Sequence, residues 1–188
     1  LNKAKGTLLS FEILPPLKGK DIRSIYEGID PLLEFKPSFI NVTYHREEVI
    51  YKERGHGLLQ KIRLRKRPGT VGICAMIKAK YDIDTVPHLI CGGFSREDTE
   101  DALIELNFLG IDNVLALRGD ATKGEAQFIP ERDGHAHAED LIRQIAATAL
   151  LAARMARSLL SRRAVVDDPD LVAAAHAQHD LVELLVVG

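Results

Sequence analysis

Arg118, Gly119 and Asp120 follow without a break on the apolar run Asn113–Leu117. Two opposite charges hinged on a glycine at the end of a strand-like run suit ligand contact, because strand ends in α/β folds are where polar side chains meet ligands. Other polar residues recur in similar settings. Glu12 lies inside the apolar run Thr7–Leu14, just before Pro15-Pro16; Thr43, Tyr44 and His45 close the run Ser38–Tyr44; His88 sits in VPHLICGG. Taken singly, each has a plainer reading. Glu12 reads as a surface carboxylate on an edge strand, Arg118 and Asp120 as a solvated ion pair, His88 as a satisfied structural histidine. His135 and His137 stand two apart, but no acid or cysteine cluster joins them, so no metal site is expected. The basic stretch Lys61–Arg67 offers charge for a phosphate, yet Ile62 and Leu64 alternate with the cations as on a solvated helix face.

The elements that must carry these residues follow from hydrophobic period. Strands are expected at 7–14, 38–44, 70–77 and 113–117. Helices are expected at 21–35, with Pro31 kinking or restarting it, at 57–65, at 96–109 and from 139 to about 160. Ser95 is a natural N-cap for the third helix, acids fill its first turn, and Gly110 ends it. His88 then falls in a long loop after the third strand. Four strand-then-helix units in a row imply a parallel sheet covered on both faces.

Composition narrows the classes. The chain has 188 residues, 46% hydrophobic and 28% charged, as in a globular domain. A net charge of −2 gives no electrostatic case for nucleic acid or an anionic membrane. The longest apolar stretch, 146–160, is interrupted by Arg154 and Arg157 and is not expected to span a bilayer. Cys74 and Cys91 lack metal or disulfide spacing, which fits a reducing, cytoplasmic setting. The chain begins at Leu1, so it is expected to start inside a longer reading frame.

Read in order, FEILPP (11–16), the strand 39–44, PHLIC (87–91) and LGIDNVLALRGD (109–120) resemble the methylenetetrahydrofolate reductase family, and GHAHAEDL (134–141) is similar to a later segment of it. The resemblance covers roughly residues 7–145. It implies a (βα)8 barrel holding FAD at the C-terminal ends of its strands, with NAD(P)H as co-substrate and 5,10-methylenetetrahydrofolate reduced to 5-methyltetrahydrofolate. By resemblance Glu12 is the general acid that helps open the folate's five-membered ring; an apolar strand would desolvate the carboxyl and keep its proton available. Asp120 would lie near the flavin ring and disfavour its anionic reduced form. Thr43, His88, Leu117, Arg118, Gly119 and Asp120 map onto flavin-contacting positions, with Gly119 letting backbone approach the cofactor. His137 stands where the family often carries Tyr, and the resemblance implies a cofactor contact there too.

The resemblance stops near residue 146, and composition changes there too. Residues 1–145 hold 16 Ile and 11 Lys, residues 146–188 none of either, while Ala rises to 11 of the last 43. A (βα)8 barrel typically takes about 250 residues. The expected architecture is therefore α/β: about four βα units of an incomplete barrel over 1–145, then a non-family helical tail over 146–188. That tail is expected to prolong the fourth helix, then to form a last helix after Asp168-Pro169 with Leu171, Ala174, Ala175, Val182, Leu185 and Val186 on one face. An uncovered sheet edge would favour a homo-oligomer. A flavin-binding fragment without catalysis is the alternative to a working reductase.

Overall fold

A computed structural model describes residues 8–121, 126–149 and 183–185. Five parallel strands form the main sheet: β1 (Ser10–Ile13), β2 (Phe39–Val42), β5 (Asp84–Ile90), β6 (Asn113–Leu117) and β7 (Glu183–Leu185), in that spatial order. Each strand lies beside the one before it in this sequence, so the sheet is singly wound, as sheets that close into barrels are. Helices α1 (Arg23–Ile29), α2 (Thr70–Tyr81) and α3 (Arg96–Phe108) and a fourth, α4 over residues 138–149, connect or follow the strands. A separate antiparallel hairpin, β3 (Glu48–Glu53) and β4 (Leu59–Leu64), stands between β2 and α2.

The core lies on one face of the sheet. Ile40, Val42, Leu89, Val114 and Ala116 point there and pack on Ile25 and Ile29 of α1, Ile73 and Ile77 of α2, Leu106 of α3 and Leu141 and Ile145 of α4. The opposite face carries a smaller cluster of Phe39, Val86 and Leu115 with Leu117 at its margin.

Several expected elements stand where composition put them. Pro31 ends α1, and a 3₁₀ segment takes over from Asp30 to Phe35. Ser95 caps α3 through a reciprocal box: its hydroxyl accepts from the Asp98 N–H, and the Asp98 carboxylate accepts from the Ser95 N–H. Gly110, at φ +64°, closes the turn after α3.

Other elements differ. Residues 57–65, expected as a basic helix, contribute β4 of the hairpin. Gly55, His56 and Gly57 all adopt positive φ, and so reverse the chain between two strands of period two. Residues 70–77, expected as a strand, form most of α2. Its buried positions, Thr70, Ile73, Cys74 and Ile77, follow the i, i+3, i+4, i+7 stripe of a helix. The third strand of the main sheet is instead β5, so His88 lies within a strand and not in a loop. Pro87 is tolerated there because the ladder to β2 ends at the Val42–Pro87 pair, after which β5 pairs with β6. In the tail, Glu183–Leu185 is a strand beside β6, against the expected helix through Leu185. The rest of that expected helix, the Asp168-Pro169 cap and the extension of α4 to about residue 160 lie outside the described residues.

Candidate functional site

Four strand ends meet along one edge of the sheet. The Thr43 N–H and hydroxyl both donate to the Ile13 carbonyl, at 3.1 and 3.3 Å, joining the ends of β1 and β2. The Cys91 N–H donates to the Leu117 carbonyl at 3.0 Å, joining the ends of β5 and β6. Glu12, Thr43, His88, Leu117, Arg118, Gly119 and Asp120 all lie within three residues of these ends.

Within this edge, one pair of the expected residues makes contact. His88 Nε2 stands 3.6 Å from Glu12 Oε2. The two come from β1 and β5, which flank β2, so their side chains reach across the middle strand. Their environments are opposite. The His88 side chain is 7% exposed and that of Glu12 59%. Burial pushes the His88 imidazole below its ordinary value, and the Glu12 carboxylate opposes that shift without cancelling it. The apolar strand therefore desolvates His88 rather than Glu12. The cause is position: β1 is the edge of the sheet among the described residues, with no strand outside it.

Arg118 lies just past β6. Its guanidinium sits over the Phe128 ring at 5.6 Å from the centroid. Gly119 has φ +80°, and a Cβ there would stand 3.2 Å from Ile90 Cδ1. The glycine is thus required by its own backbone and by packing against β5. Asp120 is exposed, and among the described residues no side-chain contact joins it to the Glu12–His88 pair. His137 is exposed too; its carbonyl accepts the Asp140 and Leu141 N–H groups and so begins α4. Its neighbour His135 is buried and hydrogen-bonded to Gln144, a structural histidine.

A second set of residues escaped the sequence reading. Arg46, in the loop after β2, pairs with Glu131, in the loop after β6, at 2.9 Å, with side chains only 15% and 19% exposed. The Arg46 stem runs over Gly92-Gly93, just past β5: a Cβ at Gly93 would stand 3.0 Å from Arg46 Cγ, and one at Gly92 would stand 3.3 Å from both Arg46 Cδ and Phe128 Cε2. Three strand-end loops are thus bound together, and Phe128 is held where Arg118 covers it. The consecutive glycines were the visible signal for this notch. Beside it the Tyr44 ring meets Phe94 edge-on at 4.9 Å, and burial raises the Tyr44 phenol above its ordinary value.

The hairpin borders the same edge. Lys66 accepts the Lys18 N–H through its carbonyl at 2.8 Å, and the Arg67 guanidinium donates to the Pro15 carbonyl. The chain leaving β4 is thereby tied to the loop after β1. His45, nearby, is lowered by burial and then by the Arg67 charge. Cys74 and Cys91 are buried thiols pushed up to about 12 and about 11, so neither is a nucleophile near neutrality. Among the described residues no three His, Cys, Asp or Glu side chains gather as metal ligands, and no helix is long and apolar enough to cross a membrane. A cleft of about 900 Å³ between α1, α2 and α3 reaches the strand-end loops at Pro16, Tyr44 and Phe94 but includes none of the seven strand-end residues.

The family model for methylenetetrahydrofolate reductase matches residues 1–155, which carries the match past the change of composition. The chain is 29% identical over 141 residues to a probable methylenetetrahydrofolate reductase (NADH) of Oryza sativa, covering 75% of this chain and 21% of the relative. It is 29% identical over 137 residues to methylenetetrahydrofolate reductase 1 of Schizosaccharomyces pombe, covering 72% and 20%. It is 30% identical over 112 residues to the 5,10-methylenetetrahydrofolate reductase of Pectobacterium carotovorum, covering 60% and 32%. The matched region spans about a fifth to a third of these relatives' lengths. With the singly wound parallel sheet and the strand-end residues in order, the chain belongs to the methylenetetrahydrofolate reductase family.

Proposed function

We propose that this chain is the first half of a flavin-dependent (βα)8 barrel that reduces 5,10-methylenetetrahydrofolate to 5-methyltetrahydrofolate with FAD and NAD(P)H. The observation that carries this reading is convergence. Residues that the family resemblance assigns to one site come from β1, β2, β5 and β6, yet reach a single edge of the sheet. The edge also fits a bound polar group. His88 Nε2 is buried and has no hydrogen-bond partner in the described structure; buried polar atoms left so are uncommon and point to a missing partner.

The chemistry a flavin supplies there is hydride transfer from NAD(P)H to the folate. The chain's own residues bind and orient. His88 offers a ring nitrogen to the cofactor, and Thr43, Leu117 and Gly119 form the wall at the strand ends. Arg118, steadied by Phe128, supplies positive charge, and Asp120 a negative charge. Glu12 serves as the acid, its carboxyl open enough to reach the folate. The remaining wall of the site would come from strands that a complete barrel places beyond β1 and β7.

The test is the visible spectrum of the purified, desalted protein after incubation with FAD. A retained flavin band is expected, and it should weaken in Arg118→Ala and Asp120→Ala. No retained band in the wild-type chain overturns the proposal. One second reading is a flavin-binding half-barrel without turnover, since among the described residues no side-chain contact joins Asp120 to the Glu12–His88 pair. Retained flavin that NAD(P)H does not reduce would select it.

A further inference from the structure

Glu12 and His88 form a pair whose geometry is unequal. The carboxylate is mostly exposed on an edge strand, where a long side chain has many rotamers. The imidazole is buried in the middle of the sheet and fixed by its neighbours. Strands flanking a common neighbour are about 10 Å apart, twice the strand spacing, yet these two side chains close to 3.6 Å. Glu12 therefore leans inward over β2 instead of turning out to water.

The surroundings leave the pair to itself. On β2, Asn41 is level with Glu12 and brings no charge. On β5, Val86 is level with Asn41, and on β6, Leu115 is level with His88; both are apolar and buried. Thr43, past β2, has its hydroxyl committed to the Ile13 carbonyl. Asp84, at the far end of β5, faces Lys78 at 3.8 Å. Glu12 is the charged group that acts on the imidazole.

We propose that His88 is the positioning residue for Glu12, its buried imidazole drawing the exposed carboxylate inward to the strand-end edge. At 3.6 Å the contact is longer than a hydrogen bond, so the holding is an electrostatic attraction between the carboxylate and the Nε2 side of the ring, strongest when the ring is protonated. A neutral imidazole with its proton on Nε2 presents the positive end of its N–H; a protonated one adds a full charge. The role matters because an acid must be held within reach of the atom it protonates. The inference rests on the reading above in which Glu12 is the acid, but the pairing can be measured without turnover.

The measurement is the titration of the His88 ring by side-chain NMR in the full chain, assigned with His88→Gln. Replacing the carboxylate in Glu12→Gln should lower the His88 midpoint by about half a pH unit. Asp84→Asn, which removes a carboxylate outside the pair, should leave it in place. An unchanged midpoint in Glu12→Gln overturns the inference. Should that variant fail to fold, Glu12→Asp, which withdraws the carboxylate by one methylene, must lower the midpoint part of the way, and no change there overturns it equally. A chain that shows the shift but retains no flavin supports the pairing and removes only the functional reading.

Discussion

The two faces of the main sheet are built to different rules. Toward the helices, β1, β2, β5 and β6 contribute Ile, Val, Leu or Ala to one apolar cluster. Toward the other face, Phe39, Val86 and Leu115 share the surface with Glu12, Asn41 and His88. The first face stabilises the fold through apolar burial. The second tolerates a buried imidazole nitrogen with no hydrogen-bond partner, a cost that packing alone would not maintain. The proposed cofactor contact rests on that unpartnered nitrogen.

Three substitutions test that contrast. The largest effect should come from the helix side. Ile77 is fully buried in the main cluster, and Ile77→Ala should lower unfolding free energy by about 2–5 kcal/mol in a denaturant titration. A loss below about 1 kcal/mol would mean that this face is not the stabilising one. Next is the strand-end edge. Arg46→Ala removes the guanidinium that faces the largely buried Glu131 and binds three loops. It should cost about 2 kcal/mol and weaken flavin retention more than Ile77→Ala does at matched folded fraction. Equal retention in both variants would detach Arg46 from the site. The smallest effect carries the opposite sign. His88→Leu replaces a buried group that lacks a hydrogen-bond partner with an apolar one, and should leave stability unchanged or raise it by about 1 kcal/mol while abolishing flavin retention.

The same variant should alter the response to acid. Because burial lowers His88 from the ordinary 6.5, the unfolded chain takes up its proton first as pH falls. The wild-type chain therefore loses stability as pH drops through that value, and further until the folded imidazole also titrates. Above it, His88 contributes nothing to the pH dependence. Thermal melts across that range should be flatter in His88→Leu, with His45, lowered in the same direction, accounting for part of what remains.

Much of the architecture was legible because local signals agreed. Ser95 with Asp98 and Gly110 bracketed α3, Pro31 broke the first helix, and the apolar run before Arg118 was a strand. The misreadings have physical causes. Residues 70–77 are rich in β-branched and apolar types, so the run reads as a buried strand, although its buried positions 70, 73, 74 and 77 keep a helical spacing. The strand at 84–90 is missed once 70–77 is assigned as the third strand; Pro87 fits in it at the last pair of the ladder to β2. The hairpin was hidden by its cations, although Gly55 and Gly57 marked its turn. At the site, Glu12 and His88 were chosen separately, from one motif each. Their contact depends on β1 and β5 sharing β2 as a neighbour, which is a fact of topology and cannot be read from either segment. Arg46 and Glu131, 85 residues apart, were invisible for the same reason.

The strand order has a consequence for how the chain is made. Because β1, β2, β5 and β6 lie side by side in the order of synthesis, each strand leaving the ribosome finds its partner already present. No earlier strand has to wait with both sides open for a later one to slip between its neighbours. Each parallel pair still needs a long crossover, but no pairing waits on a strand from further along the chain. This order also means that growth can pause after any βα unit with a layer of helix already covering the strands behind it.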